Sequence, residues 1–407
     1  MKNSLFLALL PLSAVVAADT VNVDHLAQVS NVSFTQNGEQ DVIVSYDLDN
    51  GGEPAFVTLD VLTNGVPLPV SAVQTLSGDV SASLSDFVAD GTGKKIVWKA
   101  RTDWKGNLAS NATVVVSAHY TNHLEGVYLR VDVSGGMEAD AWPTHFGSVE
   151  PDLTSKAFLW DELWLKCVPA GTFHMGSPED ELNHYANETR HQVTLTKPFF
   201  IGVTPVTRKQ WTNMAGKITN LTVDGYEACP ARWIRYTHTI DSPTRSDTVF
   251  ARLAEKTGLH GFGLPTEAQW EYACRADTAS TFNDGSPWDP DLTSTKPTVS
   301  ANLDKLAWYK NNSGDSDHQV ATKKPNAWGL YDFHGGVWEL CRDSARTYTS
   351  EAVVNPIGDM PKIDGTCVKR GGSTSSDAYG CRSAYRNTSQ SVTAAAEANG
   401  IRLAFEF

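Results

Sequence analysis

The sequence predicts an all-β domain followed by a mixed domain of short helices, short strands and long loops. Residues 19–121 carry short apolar runs divided by Asn-Gly and Gly-Gly turns, a pattern typical of β-strands. Beyond residue 157, similar runs alternate with two stretches that begin with the spacing of a helix capping box. A chain of 407 residues is long enough for two domains with separate cores.

Residues 1–18 have the features of an export signal. Lys2 supplies a positive charge, Leu5 to Val16 form an apolar run, and Val16-Ala17-Ala18 offers a cleavage site of small residues. The run is shorter than the roughly 20 apolar residues that cross a bilayer, and no later stretch reaches that length. We therefore expect a secreted, periplasmic or cell-surface protein without a membrane span. Retention of this segment as an anchor is the alternative.

Charge and cysteine content exclude several kinds of partner and site. The formal net charge of −14 argues against nucleic acid and anionic membranes as partners. The six cysteines all follow residue 166, and in an oxidising compartment an even number permits disulfides whose pairing the sequence leaves open. No C-x-x-C spacing and no cluster among the eleven histidines indicates zinc.

The first domain fits a β-sandwich of the immunoglobulin or fibronectin type III kind. The strands expected within residues 19–121 include residues 31–34, 41–46, 56–62, 95–100 and 113–118. Trp98 and Trp104 are interpreted as core and edge aromatics, with a binding platform as the alternative. Residues 122–156 contain one strand-like run among polar, Pro- and Gly-bearing sequence, which is typical of a connector.

Local signals organise residues 157–407 into strands, helices and a long loop. Strands are expected near residues 164–168, 191–196 and 198–203. Thr207 and Thr266 each precede Gln by three residues, so both predict capped helices, and Asp247 can cap another helix that ends at Gly258. The region 288–326 is nearly all loop, and a loop of that length is usually functional or held by an ion.

The last part of the chain, residues 369–407, predicts an ordered loop followed by a strand. Two adjacent glycines, Gly371 and Gly372, permit a backbone turn that a side chain would obstruct. Alternating Ile401, Leu403 and Phe405 predict a strand with one buried face. The arginines of this segment suggest charges held in a folded site, and the alternative is that they bridge to acidic loops.

Six motifs of the second domain resemble those of a known family. They are PAGTFHMGS (169–177), FFIGVTPVTRKQW (199–211), GLPTEAQWEYACR (263–275), PNAWGLYDFHGGVWELC (325–341), RGGS (370–373) and RSAYRN…GIRLAF (382–405). Their content and order resemble the formylglycine-generating enzyme, or sulfatase-modifying factor, family. The resemblance implies a C-type-lectin-like α+β fold of low regular secondary structure, made rigid by long pinned loops. The sandwich lies outside the resemblance.

Catalytic members of that family oxidise a cysteine of a sulfatase peptide to formylglycine with O2. They hold copper(I) between two cysteines that follow RGGS, because this soft ion requires two thiolates. The resemblance aligns the first of them with Ser376, and Cys381 is the one cysteine in this loop. It therefore implies that copper is not bound and assigns no catalytic residue. Relatives with both cysteines imply a Cys341–Cys381 disulfide, with a redox- or copper-active pair as the alternative.

The resemblance also implies structural Ca²⁺, which prefers carbonyl and carboxylate oxygens. The positions that match the ligands of one site are His334, Gly335, Val337 and Glu339. The positions that match a second site are Asn302, Leu303 and Asn312, the last standing where an Asp is usual. The alternatives are a plain salt bridge for Glu339 and an ordinary Asn-capped loop for the second site.

Two hypotheses for function follow. The first is an exported, non-oxidising family member that binds a polypeptide, a glycan or a surface partner. Its expected contacts are Ser373, Tyr379, Arg382, Tyr385 and Arg386, although a buried structural role is the alternative for Arg386. The second is a formylglycine-generating oxidase with altered copper ligands. No nucleophile elbow, phosphate-binding loop or HExxH motif points to hydrolysis or phosphate chemistry.

Overall fold

The structure is a computed structural model of the chain. It describes residues 27–105, 107, 111–121, 123–217, 224–239, 248–288, 300–362 and 364–407. The chain forms two compact units, the first running to Arg130 and including Pro143–Asp152, the second comprising Val131–Trp142 and Leu153–Phe407. The expected export signal lies outside the described residues. No helix within the described ranges has the length and hydropathy of a membrane span.

The first unit consists of two antiparallel sheets. Its strands are β1 (Gln28–Gln36), β2 (Val42–Asp49), β3 (Ala55–Thr63), β4 (Val66–Pro67), β5 (Leu76–Gly78), β6 (Gly91–Trp98) and β7 (Ala112–Tyr120). One sheet has the order β1–β2–β6–β5 and the other β4–β3–β7. This unit also contains a 3₁₀ turn at Val70–Ala72 and helix α1 (Ala100–Asp103).

Side chains from both sheets share one apolar core. Val44 of β2, Leu59 of β3 and Ile96 of β6 have no exposed surface and pack in the same cluster. Trp98 is also buried, and its ring stacks on Trp104 with 6.3 Å between ring centroids, which agrees with the core and edge roles expected for these residues. Assignment of this unit to the immunoglobulin or fibronectin kind stays a prediction.

Two strands, β8 (Tyr128–Asp132) and β9 (Thr144–Gly147), lie where the chain passes between the units. The strands of the second unit are β10 (Glu162–Val168), β11 (Gly171–Met175), β12 (His191–Leu195), β13 (Phe199–Gly202), β14 (Phe262–Gly263), β15 (Ala307–Trp308), β16 (His334–Gly335), β17 (Trp338–Leu340), β18 (Val353–Val354), β19 (Thr366–Arg370), β20 (Asn387–Ser391), β21 (Asn399–Gly400) and β22 (Ala404–Phe405). Its helices are α2 (Arg208–Ala215), α3 (Val249–Thr257) and α4 (Glu267–Arg275), with a π-helical turn at Ala157–Asp161 and 3₁₀ turns at Tyr236–His238, Leu303–Lys305 and Ala378–Cys381.

The second unit is α+β, as predicted, with small sheets between long loops. Strands β14, β22, β13 and β10 are neighbours in that order, and β13 pairs antiparallel with β10 from Leu165↔Gly202 to Val168↔Phe199. A second sheet has the order β11–β12–β18 and a third β20–β19–β17–β21. Strands β15 and β16 form a parallel pair. In the third sheet, β19 ends directly before the paired glycines, and β20 begins after the loop that follows them.

The helix starts follow the local sequence closely. Both capping boxes are present: the backbone N–H groups of Gln210 and Gln269 donate to the Thr207 and Thr266 hydroxyls. In return, each glutamine side-chain oxygen accepts from the backbone N–H of its threonine. Helix α3 begins one residue later than expected, because Thr248 is its cap, while Asp247 lies outside the described residues. Gly258 ends α3 in a left-handed conformation at φ +73°.

The final strand is shorter and more deeply buried than the alternating pattern predicts. Regular pairing covers only Ala404–Phe405, although Ile401, Leu403 and Phe405 are all buried as expected. Arg402 and Ala404, which alternate with these residues, are 0% and 2% exposed. The prediction of a single buried face is wrong, because both sets of alternating residues are buried and the Arg402 guanidinium is paired with Glu339.

Candidate functional site

The paired glycines shape the loop that precedes the candidate site. Gly371 and Gly372 have φ values of +92° and +77°, in the region that L side chains rarely adopt. A Cβ at Gly372 would lie 2.6 Å from the Cys381 sulfur, and one at Gly371 would lie 2.8 Å from the Phe333 carbonyl oxygen. Glycine is therefore required at both positions by conformation and by space.

The serines after these glycines bond to one another. The Ser373 N–H donates to the Ser376 hydroxyl at 3.0 Å, and the two hydroxyl oxygens are also 3.0 Å apart. Ser375 contributes a third hydroxyl 3.2 Å from that of Ser373. Ser373 is completely buried, so the predicted ligand contact at this position is corrected to a role inside the loop.

Four aromatic side chains lie together beside this loop. The ring centroid of Tyr385 is 5.3 Å from Tyr185, 5.7 Å from Tyr379 and 5.9 Å from Trp338. Tyr185 is 43% exposed, and the other three are partly exposed. We call these four residues the tyrosine cluster. Burial raises the pKa of Tyr385, with Tyr185 and Tyr379 adding to the effect, so its hydroxyl is a neutral donor and acceptor.

An acidic loop, residues 178–190, carries Tyr185 to this cluster. Glu188 is completely buried and accepts hydrogen bonds from Arg382 at 2.7 and 3.0 Å. Glu181 accepts from the same guanidinium at 2.7 Å. Two carboxylates on one buried arginine fix the loop, since charged hydrogen bonds are strong where water is excluded. The sequence contained no signal that would have assigned Tyr185 to the site.

Arg382 and Arg386 lie beneath the surface, so the prediction that they contact a ligand is corrected. Arg382 is 0% exposed and Arg386 is 4% exposed. Arg386 makes a two-pronged pair with Glu267, at 2.6 and 2.7 Å. Each guanidinium needs a carboxylate because an unpaired buried charge is very costly. The alternative role, arginines that bridge to acidic segments, is the one observed. Of the five predicted contacts, Tyr379 and Tyr385 remain accessible.

Cys341 and Cys381 are both free thiols with no exposed surface. Cys341 packs in an apolar cluster with Trp270, whereas Cys381 packs in a different cluster with Phe282. The structure therefore lacks the disulfide that we expected between them, because the two side chains belong to separate parts of the core. Burial raises the pKa of Cys381 to about 12 and that of Cys341 well above its usual range.

Comparison with known proteins settles the family. The profile of the sulfatase-modifying factor enzyme 1-like domain matches residues 165–407, more than half of the chain. The chain belongs to this family. Chaperone protein LppX of Paenibacillus barcinonensis is 29% identical over 192 residues, covering 37% of this chain and 63% of the relative. Formylglycine-generating enzyme of Mus musculus is 35% identical over 130 residues, covering 31% of this chain and 32% of the relative.

Each match covers less than two thirds of that relative's length. Among solved structures, Treponema denticola variable protein 1 aligns with a TM-score of 0.48 and 24% identity, covering 60% of this chain and 95% of that one.

Ser376 and Cys381, which the sequence resemblance assigns to the copper loop, do not offer two accessible thiolates in this structure. Ser376 offers a hydroxyl that already bonds to Ser373, and the Cys381 sulfur is buried and protonated at neutral pH. A soft monovalent ion is held by two thiolates, and a hard hydroxyl is a poor substitute. Within the described residues, no three His, Cys, Asp or Glu side chains come together as a possible metal site.

The turn with the predicted calcium ligands is tightly bonded inside the protein. The Glu339 carboxylate accepts from Arg402 at 2.8 and 2.9 Å and from Trp270 at 2.6 Å. Glu339 therefore forms the salt bridge that was the alternative to calcium binding. The His334 ring bonds the Cys381 carbonyl at 2.7 Å and accepts from the Asn283 N–H at 3.2 Å. Calcium held by the carbonyls of His334, Gly335 and Val337 stays a prediction.

The side chains of the second predicted calcium site form hydrogen bonds with nearby parts of the same loop. Asn312 accepts from the Tyr309 N–H at 2.7 Å and donates to Asp304 at 2.9 Å and to Ala307 at 2.8 Å. Asn302 donates to the Pro287 carbonyl at 3.1 Å, and Leu303 is buried. Asn302 makes no side-chain capping bond to the turn Leu303–Lys305, so these bonds tie the loop together without forming the Asn cap that was the alternative. Calcium at this site also stays a prediction.

Proposed function

We propose that this sulfatase-modifying factor family protein is an exported binding protein that recognises a polypeptide, a glycan or a surface partner through the tyrosine cluster. The single observation that carries the proposal is the chemistry of the loop after RGGS. Ser376 bonds within the loop and the one thiol there, Cys381, is buried. The place that holds copper in catalytic relatives therefore lacks two accessible thiolates.

The tyrosine cluster supports recognition of a partner. Tyr185 is exposed and Tyr379 and Tyr385 are partly exposed. Tyrosines suit contact surfaces because such side chains add area and hydrogen bonds at low entropic cost. The loop that carries Tyr185 is fixed by Arg382, so this surface is organised before a partner arrives. A relative described as a chaperone protein, LppX, is consistent with binding rather than oxidation.

The competing function is the oxidation of a sulfatase cysteine to formylglycine, which the similarity to the mouse enzyme favours. The deciding experiment reduces the purified protein, supplies copper, and measures O2 consumption with a sulfatase peptide that contains the cysteine. We expect no consumption and no stoichiometric copper. Turnover that is lost in Cys381→Ser would reject our proposal and establish the oxidase.

Binding is tested with the same peptide carrying serine in place of cysteine, and with a panel of immobilised glycans. We expect that one class of probe binds and that Tyr185→Ala with Tyr379→Ala weakens it by about tenfold or more, because aromatic contacts dominate such interfaces. Tyr226→Ala is the matched control, since Tyr226 is 41% exposed and lies outside the cluster. Equal binding by all variants would remove the tyrosine cluster from the proposal.

Structural calcium is part of the proposal and is tested separately by metal analysis of the purified protein. We expect stoichiometric calcium without copper, and a lower Tm after treatment with a chelator, because an ion that binds only the folded state stabilises it. Protein without calcium and with an unchanged Tm would remove calcium from the proposal and leave the binding function untouched.

A further inference from the structure

Lys369 is a half-buried lysine at the margin of the tyrosine cluster. It lies on β19, and its Nζ atom is 5.2 Å from the centroid of the Trp338 ring, which belongs to that cluster. The Trp338 ring is in turn 5.9 Å from that of Tyr385. Lys369, Trp338 and Tyr385 all keep part of their surface exposed. The ammonium group is therefore joined to the tyrosine cluster by direct contacts.

Only neutral acceptors bond to this ammonium group. Its Nζ atom donates to the side-chain oxygens of Gln390 and Asn399, each at 3.1 Å. Among the described residues, no carboxylate lies within ion-pairing distance of Lys369, and none contributes to the shift of its pKa. An ammonium group has three donors, so these two bonds leave one N–H without a protein acceptor.

The charge of Lys369 is less well balanced than that of other cations near the site. Arg370, Arg382 and Lys310 each have a carboxylate within ion-pairing distance. Burial lowers the pKa of Lys369, because removal from water disfavours the charged form. A half-buried ammonium group with neutral acceptors alone would gain stability from an anion that contacts it.

The shortage of acceptors extends to the amide that bonds to Lys369. Asn399 has no exposed surface, and its side-chain nitrogen forms no hydrogen bond. This nitrogen shares a carbon atom with the oxygen that accepts from Lys369, so the two unsatisfied donors are neighbours. Buried polar groups are nearly always satisfied, and two unsatisfied donors at one place indicate that an acceptor is absent.

A carboxylate on a flexible stem suits this position. It would accept the remaining N–H of Lys369 and balance its charge, and charge-assisted bonds of this kind are strong. Because the ammonium group is half-buried, the side chain of Asp or Glu reaches it more easily than a carboxylate fixed directly to a sugar ring. The chain has a net charge of −14, so the attraction depends on contact with Lys369 and not on long-range steering.

We propose that Lys369 and the tyrosine cluster together bind an acidic polypeptide segment, in which an Asp or Glu carboxylate pairs with Lys369 while neighbouring residues pack on the tyrosine rings. This inference rests on the proposed function, because it names the chemistry of the partner that the tyrosine cluster recognises.

The test uses two probes that differ only in charge, N-acetyl-glutamyl-phenylalanine amide and its glutaminyl counterpart, with the whole protein labelled at lysine with ¹³C. Ligand-observed NMR gives the Kd of each probe, and the Cε resonance of Lys369, identified by its absence in Lys369→Met, reports contact with the ammonium group. We expect the glutamyl probe to bind about tenfold more tightly, because only its carboxylate is a charged acceptor. It should also raise the pKa of Lys369, since a bound anion favours the ammonium form.

Three variants locate the pair. Lys369→Met keeps the length of the side chain and removes its charge, so it should bind both probes equally. Tyr379→Ala should weaken both probes, because it removes an aromatic contact. Lys324→Met, at an exposed lysine outside the cluster, should leave both Kd values unchanged. If Lys369→Met does not fold, the difference between the two probes and the response of Lys369 in the parent protein still decide.

Equal affinity for the two probes, with both weakened by Tyr379→Ala, would overturn this proposal and leave the proposed function intact. Failure of both probes to bind would also overturn it, whereas the serine peptide and the glycan panel decide the proposed function separately. Glucuronic acid is the sugar control: if it shifts Lys369 and the glutamyl probe does not, the partner is an acidic glycan and not a polypeptide. A preference for the glutamyl probe that is lost in Lys369→Met and kept in Lys324→Met supports the pair.

Discussion

Protonation of one buried histidine should make this protein sensitive to mild acid. His334 is 1% exposed, and burial lowers its pKa from 6.5 to about 4. Its Nε2 atom accepts from the Asn283 N–H at 3.2 Å, so the ring is neutral with its proton on Nδ1, which donates to the Cys381 carbonyl at 2.7 Å. A second proton would break the bond to Asn283 and place a charge in the core.

The direction of the pH dependence of stability follows from the lowered pKa of His334 in the folded protein. Above pH 6.5 the histidine is neutral in both the folded and the unfolded chain, so it contributes no pH dependence. Between pH 6.5 and about 4 the unfolded chain binds a proton that the folded protein does not, and stability falls as the pH falls. A difference of about 2.5 pH units corresponds to about 3 kcal/mol of unfolding free energy.

The variant His334→Asn isolates this contribution, since the amide keeps a donor for the Cys381 carbonyl and cannot titrate. Urea unfolding at several pH values between 4 and 8 gives the free energy of unfolding for both proteins. The variant should be less stable at pH 7, and its loss of stability from pH 7 to pH 4 should be smaller than that of the parent by about 3 kcal/mol. The exposed His260→Asn is the control and should leave the pH dependence unchanged.

Buried carboxyls act in the opposite direction but cancel in this comparison. Burial raises the pKa values of Asp332 and Asp343 from 3.8 to about 6, so their contribution to stability grows as the pH falls through that range. Both are present in parent and variant. If the two proteins lose the same free energy between pH 7 and pH 4, His334 does not keep its depressed pKa and the reasoning fails.

Three further changes test the core and the loop beside the site. Glu339→Gln leaves Arg402 buried without its counter-charge and should cost about 3–5 kcal/mol in urea unfolding; a loss under about 1 kcal/mol would show that the pair is not needed. Gly372→Ala combines a φ of +77° with a Cβ 2.6 Å from a sulfur, so it should lower the Tm far more than Gly285→Ala, which has a φ of +84° and open space. All six cysteines are buried, so a thiol reagent should label none of them until denaturant is added, and labelling of native Cys381 would contradict its placement.

Local interactions explain where the sequence predicted the structure well. The caps of α2 and α4 involve residues three positions apart. Thr207 and Thr266 therefore predict the helix starts from the local sequence alone. The turn at Gly371 and Gly372 is similarly encoded by residue type. The predicted start of α3 differs from the observed start by only one residue, because Thr248 and not Asp247 is the cap.

Distant partners explain where the sequence failed. Arg382 bonds to Glu188, which lies 194 positions earlier, and Arg402 bonds to Glu339 across 63 positions. The sequence suggests that these arginines are held in a folded site, but it cannot name the carboxylate that pairs with each of them, because that carboxylate comes from a distant loop. The same limitation hid the separation of Cys341 and Cys381 into two clusters.

The sequence by itself determined the family, the capped helices and the loop at the paired glycines. Motifs, helix caps and tight turns depend on residues that are close together in the chain, so they can be recognised without the tertiary structure. Only the tertiary structure decided that Tyr185 joins the tyrosine cluster and that the late arginines are buried. The physical reason is that burial and charge balance depend on groups that folding brings together from far apart in the chain.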